Sequence, residues 1–85
     1  MANMHNAVSD ALVEIRANPR IQQHIEFIPN DNIYQIKLTR GIARLSIEMI
    51  LDGGEYTGYV MEKRGFSDRF QQRFMDALMN KLDLN

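Results

Sequence analysis

The chain holds two histidines, eleven carboxylates and ten lysines or arginines, and no cysteine, and any acid–base, metal or phosphate chemistry must come from these groups. General acid–base catalysis needs titratable side chains held within hydrogen-bond reach of one another. Here the carboxylates are scattered singly along the sequence. His5 lies near the start of the chain, and His24 has no second His, Asp or Glu at a metal-ligand spacing, so both read as surface histidines. Ser9, Ser46 and Ser67 have no neighbouring base, and Ser67 is better placed as a helix cap. Gly53 and Gly54 are followed by Glu55 and Tyr56, not by the lysine and hydroxyl residue of a phosphate loop. The sequence therefore assigns no catalytic residue, metal or cofactor. The expected function is binding without catalysis.

One basic group stands out: Lys63, Arg64, Arg69 and Arg73, around the start of the last helical segment. Phosphate contact, helped by the helix N-terminus, is the sharper reading, and it makes a nucleic-acid-binding domain the alternative function. The plainer reading is a solvated stripe in which Arg73 pairs with Asp76. The net charge of −1 favours the plainer one, since positive and negative residues alternate in small blocks and never run.

The elements that would position these groups follow from hydrophobic period. Met4, Ala7, Val8, Ala11, Leu12 and Ile15 predict an amphipathic helix over about 4–17, stopping before Pro19. Residues 21–28 are ambiguous between helix and strand, with a short strand near 25–28 preferred. Tyr34, Ile36 and Leu38 alternate with polar residues, as do Ala43, Leu45, Ile47, Met49 and Leu51, which predicts two paired strands. A two-residue loop at Arg40 and Gly41 opposes Leu38 to Ala43 and Ile36 to Leu45. Asp52, Gly53 and Gly54 make a three-residue hairpin loop, which opposes Met49 to Thr57, Arg44 to Glu62, and sets Ile50 beside Tyr56. Ser67 and Asp68 then open a helix over about 68–82. The result is one α+β domain spanning residues 1–85. A small antiparallel sheet of three strands, or four, is flanked by an N-terminal and a C-terminal helix in α-β-β-β-α order, both helices on one sheet face.

That order resembles the double-stranded-RNA-binding domain, whose second helix opens with a lysine-rich cluster lying across phosphates; Ser67 to Arg73 carries no such lysine run. It is also similar to the front half of class I secretion chaperones, small acidic α/β dimers that hold an effector in extended form. The resemblance lies in element order alone.

What remains after one core is filled is surplus apolar surface, because 45% of 85 residues are hydrophobic. Ile33, Ile50, Tyr56 and Val60 alternate with charges on the outer sheet face. Met75 and Met79 lie on the edge of an apolar arc of about 220° on the last helix. Isolated apolar residues are ordinary on sheet surfaces, and core packing can absorb a broad helical arc. The functional reading is a contact patch. It predicts a small protein-binding module that forms a homodimer, of the kind found among bacterial or phage accessory factors acting as inhibitors or adaptors. The absence of cysteine, of a basic and apolar leader, and of any run of about 20 apolar residues predicts a cytoplasmic protein that does not enter a membrane.

Overall fold

A computed structural model of the chain describes residues 3–16 and 24–83. The expected helix end before Pro19 and the first residues of the ambiguous stretch lie outside them. The element order is α1 (Met4–Glu14), β1 (His24–Asn30), β2 (Ile33–Arg40), β3 (Ala43–Asp52), β4 (Glu55–Arg64) and α2 (Asp68–Lys81). The fold is α+β, with one antiparallel sheet in the order β1-β2-β3-β4. The sheet has the larger of the two expected strand counts, giving the order α-β-β-β-β-α. The chain divides into two compact units, the helix pair and the sheet.

In the helix pair, Asn3 caps α1 by accepting hydrogen bonds from the backbone N–H of His5 and Asn6, which satisfies two donors without helical partners. The helix ends at Glu14, sooner than its apolar period implies. Ile15 closes it and Arg16 turns left-handed at φ 54°. That conformation costs a residue with a Cβ about 1 kcal/mol. α2 begins as expected: the Ser67 hydroxyl accepts from the Phe70 N–H at 3.0 Å, and Asp68 sits in the first turn where the helix dipole favours an anion. Lys81 reaches Glu14 at 3.4 Å, tying the last turns of the two helices.

In the sheet, the three hairpins each turn on two residues. Gly41 and Ile42 join β2 to β3, so the loop lies one residue later than Arg40–Gly41 and the register shifts by two: Arg40 opposes Ala43, Leu38 opposes Leu45 and Ile36 opposes Ile47. The cause is backbone conformation. Only Gly41 in this loop has positive φ, at 62°, which fits a turn with glycine at its first central position; the earlier loop would ask that of Arg40. Gly53 and Gly54 both have positive φ, as a tight two-residue turn between twisted strands demands. That turn overrules the expected three-residue loop.

A regular two-residue hairpin here would have brought Glu62 onto the apolar face. A bulge prevents it. Ile50 opposes Gly58 while Leu51 opposes Tyr56, leaving Thr57 as the extra residue, and beyond it Met49 opposes Tyr59 and Ile47 opposes Met61. The observed register overturns all three expected pairs: Met49 faces Tyr59, not Thr57; Arg44 faces Arg64, not Glu62; and Tyr56 faces Leu51, so it stands on the opposite face from Ile50. Pro29 lies inside β1, where its missing N–H is tolerated because β1 is an edge strand.

One face of the sheet is a core face. Ile36, Leu38, Leu45, Ile47 and Met49 are each 1% exposed. Burial of each is worth about 1.5–3 kcal/mol. Near its end, Gly65 is held at φ 86° and a Cβ there would stand 3.0 Å from Cα of Ala43. The Arg40 guanidinium lies 4.8 Å from the centre of the buried Phe66 ring.

Candidate functional site

Alternation places every second residue of the four strands on the other, open face. The pairing arranges them in rows across the sheet. The first row is His24, Thr39, Arg44 and Arg64; the second is Glu26, Lys37, Ser46 and Glu62. The third is Ile28, Gln35, Glu48 and Val60, and the fourth is Asn30, Ile33, Ile50 and Gly58. Asp52 and Glu55 close the far end. Eight residues of β3 separate Arg44 from Asp52, a span of about 27 Å.

This face carries two gradients. Its middle carries four apolar side chains around Gln35 and Glu48, with Val60 53% and Ile28 40% exposed, Ile50 nearly as open and Ile33 half-buried. Its ends differ in charge. Arg44 and Arg64 sit directly opposite each other, and like charges so placed destabilise a strand pair. Neither makes an ion pair among the described residues. The opposite end presents the carboxylates of Asp52 and Glu55, also placed directly across from each other.

Over the basic end lies an open groove of about 580 Å³, lined by Lys37, Arg44, Ser46, Glu62 and Arg64 with His24 and Glu26 at its margin. The His24 imidazole meets the Glu26 carboxylate at 3.1 Å, because residues two apart on a strand share a face. Gln35 donates to the Ser46 hydroxyl at 3.4 Å. In the groove Ser46 stands across from Glu62, and no group of three His, Cys, Asp or Glu among the described residues is placed to hold a metal ion.

The expected contact residues divide. Ile33, Ile50 and Val60 do share the open face, and Ile28 joins them. Tyr56 belongs with Tyr34 on the core face. Its hydroxyl pKa is raised by burial and by the charge of Tyr34, and that of Tyr34 by burial. Met75 is buried at 4% exposure, so the broad apolar arc of α2 is largely used in packing; Met79 is half-buried. Phe70 and Phe74 stack with ring centres 6.1 Å apart.

Within the expected basic group, Lys63 and Arg64 lie on opposite faces of β4. Lys63 opposes Leu45, on the core-face side of β4, and its ammonium donates to the Phe66 carbonyl at 3.1 Å. Arg64 points the other way, into the first row of the open face. Arg69 and Arg73 line a shallow depression on the helix pair with Ile15, Ser67 and Phe70. Asp76 is engaged by the Gln72 amide at 2.9 Å, and no Arg73–Asp76 ion pair is present among the described residues.

No family model, curated protein or solved structure matches the chain. No helix among the described residues is long and apolar enough to cross a membrane.

The residues that sequence reasoning passed over have identifiable signals. Arg44 became part of the basic end only through the bulge at Thr57. Ile42, 95% exposed at a hairpin tip, was hidden by placing the loop one residue early. Ile28 lies in the expected strand near 25–28 and takes its place beside Gln35 through the pairing of β1 with β2.

Proposed function

We propose that the protein is a non-enzymatic binding module that acts by occluding the surface of another protein, as an inhibitor or adaptor, and that the open sheet face is its contact surface. One observation carries the reading: Ile28, Ile33, Ile50 and Val60 are neighbours across the strands on one sheet face, and Val60, Ile28 and Ile50 are exposed. Such a patch, rimmed by charge, is the usual composition of a protein contact.

The test is positional. A photo-crosslinking side chain placed at Ile28 or Val60 is expected to give protein adducts in the cell that makes the chain. The same group at Val13, 76% exposed on α1, is expected to give none. Equal labelling at all three positions, or adducts at Val13 alone, overturns the reading. Nucleic-acid binding remains the second reading, supported by the facing Arg44 and Arg64. The open face offers no Phe or Tyr on which a base could stack. An affinity for duplex or single-stranded oligonucleotides that falls steeply with salt would favour that second reading over the first.

A further inference from the structure

We propose that the occupant of the open face is a second copy of this chain, stacked sheet to sheet and turned end for end. This rests on the reading that the open face is a protein contact surface, and adds the partner. The argument begins with a cost. Strand pairing sets Arg44 against Arg64 and Asp52 against Glu55, with the two like-charged pairs at opposite ends of one face. Each pair weakens the isolated sheet. Each is neutralised at once if the basic end of one copy meets the acidic end of another.

Geometry allows this in a single arrangement. A two-fold axis lying in the plane between the sheets and running across the strands reverses strand direction and keeps each strand over its own counterpart. Arg44 then lies over Asp52 on β3, and Arg64 over Glu55 on β4, in both halves of the dimer. The third row falls on the axis, so Ile28 meets Ile28 and Val60 meets Val60 at its two edges, while Ile33 lies over Lys37 and Ile50 over Ser46 of the copy. A two-fold axis along the strands would instead lay β3 over β2 and β4 over β1, setting Arg44 over Thr39 and Arg64 over His24 and leaving both like-charged pairs unneutralised. The contact is therefore isologous and self-complementary in one orientation only.

The area is sufficient. Strands of 7, 8, 10 and 10 residues, rising about 3.3 Å per residue and spaced about 4.8 Å apart, give a face of roughly 550 Å², so the pair covers about 1,100 Å². That clears the threshold of about 1,000 Å² for a specific interface. Glu48 also falls on the axis and meets its own copy, which opposes association. Glu48→Gln is accordingly expected to tighten the dimer.

Charge reversal tests the arrangement. Sedimentation at micromolar concentration is to be run on the wild type, on Arg44→Glu with Arg64→Glu, on Asp52→Lys with Glu55→Lys, and on an equal mixture of the two double variants. The expected result is a wild-type dimer and two variants whose self-association is weakened at least about 10-fold, since like charges then meet at both ends. The mixture is expected to form a one-to-one heterodimer, because one variant is acidic at both ends and the other basic at both. Circular dichroism melting confirms that each variant is folded, and rescue on mixing excludes misfolding as the cause. A monomeric wild type overturns the pairing and leaves the contact surface to the crosslinking test. A dimer that survives either reversal, or variants that do not restore each other, overturns it as well.

Discussion

The two faces of the sheet are cut from the same four strands, yet they are built differently. On the core face, cross-strand neighbours are apolar without interruption through Leu38–Leu45, Ile36–Ile47 and Ile47–Met61, and all but Met61 are buried. On the open face, Ile33–Ile50 and the flanking Ile28 and Val60 are a patch between two charged ends. Continuity of apolar pairs is what makes a core. A patch with ordered charge at its rim has the composition of an interface.

The largest way to separate the faces is truncation. Ile47→Ala is expected to cost about 2–5 kcal/mol in a denaturant titration, since it opens a cavity among fully buried side chains. Ile50→Ala, at 36% exposure, is expected to cost less than about 1 kcal/mol. Equal losses at the two positions would erase the distinction. Gly65→Ala comes next, at about 1–3 kcal/mol, because its Cβ would press on the Ala43 backbone at a left-handed φ. Ser67→Ala is expected to remove about 1 kcal/mol through the lost cap on α2.

The element pattern was legible because period and punctuation agree: Ser67 and Asp68 announce α2, Gly53 and Gly54 announce a hairpin, and β3 alternates throughout. Register was not legible. Side-chain alternation has period two, so sliding β2 against β3 by two residues keeps Leu38 opposite an apolar partner, Ala43 in one case and Leu45 in the other. Only the φ demanded of Gly41 distinguishes them. The bulge was further out of reach, since an extra residue leaves no compositional trace in Thr57. Three of the expected contact residues on the sheet fall on the open face, and the fourth, Tyr56, lies inside the irregularity.

Smaller effects sharpen the picture. Deleting Thr57 removes the bulge but keeps the pairing from Gly58 onward, so the fold and the core are expected to survive, with a stability change within about 1 kcal/mol. The smallest effect is at high pH. Tyr34 and Tyr56 titrate above their ordinary value of 10.0, so the folded chain holds its phenolic protons longer than the unfolded chain. Their contribution is intact below pH 10.0 and is lost as pH rises through the folded values. Tyr34→Phe should flatten that decline in an alkaline melting series.

Arg64→Glu sets the demands of fold and contact directly against each other, because it replaces a repelling Arg44–Arg64 pair with an attractive one inside the sheet. Measured by melting at concentrations where the wild type is monomeric, the variant is expected to be more stable by about 0.2–1 kcal/mol. In sedimentation of the same samples at micromolar concentration, it is expected to associate more weakly than the wild type. A variant that is less stable, or that associates as strongly as the wild type, contradicts the claim that this chain keeps a costly arginine pair for the sake of contact.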